Sequence, residues 1–260
     1  MRFMVCLKPV PEPGTVKVDP KTHTLRRESA TLILNPADRY ALEAAVELKE
    51  KVGAEVTAVM MGPPNAIPLL KEAYACGADN IYLLSDRAFA GSDTLATSYV
   101  LSLAVQKLGP FDLIFCGKVS IDGETAQVGP ELAAWLNWPS VIWVKDIRPA
   151  QNGFEVVRLT DEGEEELEVR PPALFTIEPE INDPRPPSIK RLLEMLTREV
   201  PTLTAEDLDA DPSHLGLEGS PTRVLDVFTP TYEEKKEILE GPAEEVVEKL
   251  VSILKERGLI

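Results

Sequence analysis

From residue 1 to about residue 136 the chain alternates short apolar runs with longer amphipathic stretches, and this alternation limits its fold more than any other feature. Residues 1–7 (MRFMVCL) are rich in strand formers, and 55–61 (EVTAVMM), 80–84 (NIYLL) and 111–116 (FDLIFC) repeat that texture. Between them, 36–52, 66–76 and 94–108 carry apolar residues at helical spacing, and 130–136 adds another such stretch. The first helix has good local chemistry: Asn35 is placed to cap it, Pro36 suits its first position, Asp38 lies near its positive end, and Gly53 stops it. Strands separated by single helices run parallel and join through right-handed crossovers. The expected fold is therefore a doubly wound, mostly parallel α/β sheet. Further strands read at 140–146, 154–160, 165–170 and 173–177, with Asn152-Gly153 marking a hairpin turn.

Two passages break the alternation. Pro9, Pro11 and Pro13-Gly14 read as loop, with 16–18 and 31–34 as a small pair of strands beside it. After about residue 179 the chain becomes Pro-punctuated, then acidic and turn-rich over 204–219. A short helix reads at 189–197 and surface helices at 232–239 and 243–257, the last with Val246, Val247, Leu250, Ile253 and Leu254 as an apolar stripe. A tail so poor in strands does not hold its own core. The expected division is an α/β domain over 1–190 and an arm over 191–260 that packs on another body.

Composition closes off several functions. Lys plus Arg is 27 against 43 for Asp plus Glu, a formal charge of −16 that argues against wrapping nucleic acid. Two histidines and no HExxH leave little for a metal site. No apolar run approaches the ~20 residues of a membrane span, and 1–10 does not read as a signal peptide, because Lys8 comes too early. Cys6, Cys76 and Cys116, an odd number without CxxC, read as buried free thiols of a cytoplasmic protein.

In such a sheet ligands bind beyond the carboxyl ends of the strands, where loops meet helix N-termini. The loops at 7–14, 34–38, 84–97 and 117–130 are the unusual ones. No GxGxxG, P-loop or GxSxG is present. Residues 85–98 (SDRAFAGSDTLATS) read equally as a capped helix start, with Ser92 or Asp93 as cap, and as a pyrophosphate cradle built from Gly91, small hydroxyls and free N–H groups. Asp86 and Asp93 would repel phosphate, so pairing with Arg87 or with ribose hydroxyls is expected of them. Residues 117–130 (GKVSIDGETAQVGP) combine glycines for close approach with the neutral donors Thr125 and Gln127 ahead of a helix.

These loops carry a resemblance. Val5-Cys6-Leu7-Lys8, Asn35-Pro36, Gly77-Ala78-Asp79, Gly117-Lys118 with Asp122 through Gln127 and Gly129, and Asn182 with Pro184-Arg185 are similar, in order and spacing, to the β subunit of electron-transfer flavoproteins. The resemblance spans essentially the whole chain. It implies a Rossmann-like, adenine-nucleotide-binding domain with a C-terminal extended and helical arm on an α subunit that carries a redox FAD. Ordinary members hold AMP in the β subunit, whereas electron-bifurcating members hold a second FAD there. Residues 84–97 (LSDRAFAGSDTLAT) resemble the bifurcating signature throughout. The implied cofactor is FAD, with AMP as the alternative and NADH as hydride donor.

Carried over, the nucleotide site comprises Cys6, Asn35, Pro36, Ala37, Asp38, Met61 and the run Lys118-Val119-Ser120-Ile121-Asp122-Gly123-Glu124-Thr125-Ala126-Gln127-Val128-Gly129. Gly91, Ser92, Asp93, Thr94 and Thr97 would lie along the flavin and nicotinamide. Ile189 falls at the apolar anchor of the family's partner-recognition loop. The implied partners are the α subunit, an acyl-CoA dehydrogenase or a membrane quinone oxidoreductase, and a ferredoxin or flavodoxin, with no direct membrane insertion. A stand-alone nucleotide-binding protein of similar fold is the rival reading, and the arm counts against it.

Overall fold

The computed structural model describes residues 1–13, 31–225, 236 and 238–260. The first strand, β1 (Arg2–Leu7), is followed by β2 (Pro9–Pro11) and β3 (Leu32–Leu34), then α1 (Pro36–Val52) and β4 (Glu55–Met61). Next come α2 (Ile67–Ala75), β5 (Asn80–Leu84), α3 (Thr94–Leu108), β6 (Leu113–Gly117) and α4 (Val128–Leu136). The chain continues through β7 (Ser140–Ala150), β8 (Gly153–Thr160), β9 (Gly163–Val169), β10 (Ala173–Ile177), α5 (Ile189–Glu194), β11 (Thr202–Leu203) and α6 (Ala243–Glu256).

One sheet has the order β11-β5-β4-β1-β6-β10-β7-β8-β9. It is parallel from β11 to β7, and the β7–β8–β9 meander closes it with antiparallel pairs. The doubly wound reading is correct, and the hairpin stands at the Asn152-Gly153 turn. The chain leaves β1 toward β4 on one side and later returns to β6 on the other, so the strand order reverses between β1 and β6.

The central strands are buried on both faces, which is why they read as continuous apolar runs. Phe3, Val5 and Leu7 of β1 join Leu113 and Phe115 of β6 and Ala173, Phe175 and Ile177 of β10 in the core beneath α1 and α2. Met4, Cys6, Ile114, Cys116 and Leu174 face the opposite core, beneath α3 and α4. In the first core Phe3, Phe115 and Phe175 form a row with ring centroids 5.7 and 5.9 Å apart.

Some expectations change. The Pro9 segment is not all loop: β2 pairs antiparallel with β3. The other proposed partner of that pair, 16–18, lies outside the described residues. Asn35 does not cap α1, because its amide is used elsewhere. The helix expected over 232–239 falls mostly outside the described residues. The tail also contributes to the sheet, since β11 pairs with β5 and buries Met195, Val200, Leu208 and Leu215 nearby. The chain accordingly divides into compact units Met1–Asp226 and Val227–Ile260, a later boundary than 190. Within the second unit α6 begins with Glu244 and Glu245, ends near Lys255, and leaves Val247, Leu250 and Val251 exposed. Among the described residues no helix is long and apolar enough to cross a membrane.

Candidate functional site

The carboxyl ends of β1, β4 and β6 bring Cys6, Met61 and Gly117 to one edge of the sheet, and the N-terminus of α1 delivers Asn35 and Asp38 beside them. Asp38 is buried and accepts hydrogen bonds from the Lys8 N–H at 2.7 Å and the Asn35 side-chain amide at 2.9 Å. Burial pushes its pKa up to about 7, against the opposing pull of Asn35, Lys8 and the Gly117 N–H. Gly117 is required here: a Cβ would strike Asp38 Oδ1 and lie 2.8 Å from Asp38 N and Ala37 C.

The Asn35 amide ties this edge to the following loop. It donates to Val119 O at 2.9 Å as well as to Asp38, and its oxygen accepts from Ile121 N at 3.2 Å. Lys8 reaches the same loop, donating from Nζ to Ser120 Oγ at 3.1 Å and to Asp122 Oδ1 at 2.6 Å. Burial opposes the Asp122 charge, yet the Lys8 bond and charge hold its carboxyl below the usual range. Glu124 and Ala126 then take left-handed backbone angles, φ 50 and 56. The loop ends at α4, whose first turn has no side-chain cap; Pro130 carries no N–H and the Glu131 N–H is bonded to Gln127 O, which leaves the Val128 and Gly129 N–H groups as those an anion would meet. Gly129 lets that turn approach β10, since a Cβ would lie 2.6 Å from Thr176 Cγ2.

Beneath the edge two thiols meet across β1 and β6. Cys116 is held well above the ordinary thiol range by its hydrogen bond with Cys6 and by burial.

The second loop reaches the same edge at α3. Asp93 caps that helix through Ala96 N at 3.1 Å, the alternative that the sequence left level with a phosphate cradle. Its other oxygen accepts from Thr222 N at 3.1 Å and Thr222 Oγ1 at 2.8 Å. Burial works against the Asp93 charge, but these bonds keep its carboxyl low. Asp86 is engaged by backbone N–H groups and not by the Arg87 side chain: it accepts from Ala88 N at 3.0 Å and from Ala205 N at 3.0 Å. Residues 203–222 thus lie as a strap along 85–93. Leu217 occupies the space beside Gly91, and Ser220 Oγ accepts from Asp93 N at 2.8 Å. Thr94 donates to Glu131 Oε1 at 3.1 Å and approaches Gln127 Oε1 at 3.5 Å, joining the starts of α3 and α4. Burial raises the Glu131 carboxyl, Thr94 moderates the rise, and its Oε2 is shielded without a hydrogen-bond partner.

The structure therefore gathers Cys6, Asn35–Asp38, Met61 and 118–129 around the β1/β6 reversal, and sets 91–97 alongside through Thr94. Ile189 stands apart, on α5, which packs on α2. Sequence reading missed the groups behind the site. Lys118 Nζ is bound to Glu178 at 2.9 Å and stands 5.2 Å from the Trp143 ring centroid. Trp143 has φ 60 inside a strand, fixed by its N–H donating to Thr176 Oγ1 at 3.0 Å. Nothing in the sequence marks a left-handed tryptophan in a strand.

A family model described as the electron transfer flavoprotein domain matches residues 22–208. Over the full length of both chains, the protein is 46% identical to the electron transfer flavoprotein subunit beta of Thermoanaerobacterium thermosaccharolyticum. It is 43% identical, again over both full chains, to the caffeyl-CoA reductase-Etf complex subunit CarD of Acetobacterium woodii. With protein FixA of Bradyrhizobium diazoefficiens the identity is 38%, covering 98% of this chain and 91% of that one.

Proposed function

This chain belongs to the electron transfer flavoprotein family as a β-subunit homologue, and from that premise we propose that it holds FAD, receives hydride from NADH and divides the electrons between two acceptors. The observation that carries the reading is the junction of two loops at Thr94, Gln127 and Glu131. One loop with one open helix start suits a mononucleotide such as AMP. Two adjoining loops offer an extended edge that suits a dinucleotide, and 84–97 is the segment that resembles bifurcating members.

The residues present fit such a group. The open first turn of α4 and the close approach allowed by Gly129 would receive phosphate. Asn35 and Lys8 would hold the Lys118–Gly129 run in place, and Cys6 and Met61 would floor the site. The donors at the start of α3 are engaged by Asp93, so Gly91, Ser92, Asp93, Thr94 and Thr97 would shape the ring end and not the phosphate end. When bound, a flavin supplies acceptance of a hydride and release of single electrons. The chain's contribution is binding, orientation and the local field. Lys118 stays paired with Glu178, so its charge is largely neutralised beside the ligand.

The unit from Val227 onward, with the exposed apolar face of α6, would bury against an α subunit, and Ile189 would anchor an acyl-CoA dehydrogenase or a membrane quinone oxidoreductase. The second electron would leave to a ferredoxin or flavodoxin. Three free cysteines suit work in the reducing cytoplasm. The test is cofactor content of the co-purified αβ pair after denaturation. Two FAD per pair are expected, with NADH bleaching the β-subunit flavin. One FAD with one AMP sinks the bifurcating reading and leaves an ordinary β subunit.

A further inference from the structure

The α5 segment shows three large apolar side chains to solvent: Ile189 is 76% exposed, Leu193 60% and Leu196 73%. Their spacing of four and three residues places them on one stripe. A stripe this exposed needs something to hold it rigid from behind, and hydrophobic packing supplies part of that. Met195 is buried, but a cavity of about 180 Å³ lies behind the segment, lined by Val46, Cys76, Gly77, Arg185, Pro186 and Arg191. Pro184, Pro186 and Pro187 lack the N–H that would tie this stretch to a neighbour.

Polar bonds add the rest: Lys71 Nζ donates to Met195 O at 2.8 Å, Ser188 N to Ala75 O at 3.1 Å, and two arginines contribute the larger networks. Arg191 donates to Tyr74 O at 2.7 Å and to Ala78 O, with its guanidinium 4.1 Å from the Tyr74 ring centroid. Arg185 is more elaborate. Its backbone N–H donates to Glu43 Oε2 at 3.0 Å and its Nε to both Glu43 oxygens at 2.9 and 3.0 Å. Its Nη1 and Nη2 donate to Glu50 Oε1 at 2.6 Å and Oε2 at 3.1 Å. Asn182 adds a bond from Nδ2 to Tyr40 O at 3.1 Å. Tyr40, Glu43 and Glu50 all stand on α1, the helix whose first turn carries Asn35 and Asp38. A planar fork with two carboxylates fixes both distance and angle, which a lysine at the same place does not.

We infer that Arg185 is the positioning residue of the docking element: its double fork to Glu43 and Glu50 sets where the Ile189–Leu193–Leu196 stripe stands, and the stripe fits a protein partner that offers an apolar pocket. The inference rests on the reading of α5 as the partner-docking element. The Arg185 side chain is spent on Glu43 and Glu50 of α1. It acts through the placement of α5.

Glu43 is buried, so removing Arg185 alone leaves a lone carboxylate in the interior and threatens folding. The experiment therefore uses Arg185→Lys, the double variant Arg185→Ala/Glu43→Gln, and Ile189→Ala, each in the full αβ complex. Electron transfer to a purified acyl-CoA dehydrogenase is measured against its concentration, together with flavin content and the thermal midpoint. The double variant should keep wild-type flavin content and a near-normal midpoint, with KM for the dehydrogenase raised about tenfold or more and kcat little changed. Arg185→Lys should raise KM to an intermediate value, and Ile189→Ala should raise it as the double variant does. If the double variant keeps the wild-type KM while Ile189→Ala raises it, the positioning role is overturned and the docking reading stands. An unchanged KM in Ile189→Ala overturns the docking reading and this inference with it. Loss of flavin and kcat without a change in KM marks Arg185 as a structural staple and also overturns the inference.

Discussion

Burial of Asp38 outweighs the donors that favour its charge, so the folded chain holds this proton up to about pH 7, whereas an unfolded carboxyl releases it near 3.8. The native state then binds more protons than the unfolded one between those values. Its contribution is complete below pH 4 and is lost as pH rises through 7, a change on the order of 4 kcal/mol as an upper figure. Urea midpoints taken from pH 5 to pH 8 should fall for the wild type relative to Asp38→Asn, whose profile should be flatter though lower; parallel profiles would assign the slope to other groups. The glycines of the neighbouring loop separate by the same residue-level logic. Gly129→Val drives a side chain into Thr176 and should cost about 1–3 kcal/mol along with bound nucleotide. A Cβ at Gly123 meets only Ser120 Oγ at 3.4 Å, so Gly123→Val should fold normally and any loss of nucleotide there reports on the ligand. Denaturant melts and nucleotide content of the two variants read both claims.

At the scale of elements, α3 begins under a shared carboxylate. One Asp93 oxygen caps the helix and the other holds Thr222 of the strap, so Asp93→Ala removes both at once. The expected cost is about 0.5–2 kcal/mol for the cap alone. Hydrogen exchange should speed up in both 94–97 and 216–222; faster exchange in the helix start only would mean that the strap is held elsewhere. This element also marks where sequence reading stops. The limits of α3 were legible, because Asp93 precedes an apolar period and Gly109-Pro110 follows it. The alternating strands were legible because burial on both faces makes them uniformly apolar. Asn35 is of a type that suits a cap, but its amide serves one distant loop instead, at Val119 and Ile121, 84 and 86 residues away in sequence. Lys118–Glu178, Trp143 and the strap on 85–93 depend on strands that meet only after the sheet forms, and no local pattern encodes such meetings.

For the whole molecule, the sheet ends differently on its two sides. β11 is two residues long and offers little to pair with, whereas β9 is a full strand whose outer edge no other strand among the described residues covers. What guards β9 is its sequence: Glu164, Glu165, Glu166 and Glu168 line it, answered only in part by Lys145 and Arg158 from β7 and β8. In a chain of charge −16 this edge repels a second copy. The protection belongs to solution conditions as much as to the fold. Near the isoelectric point of about 4.7 the net charge of the chain vanishes, the repulsion between copies goes with it, and the strand becomes a template for another molecule's backbone. Light scattering should therefore rise on acidification toward that value, and Glu166→Val/Glu168→Val should shift the onset toward neutrality; an unmoved onset would place the contact on another surface. Storage, crystallisation and purification by acid elution are thus colloidal problems set by one row of glutamates, and a buffer well above pH 5 with modest salt is the condition under which this protein stays dispersed.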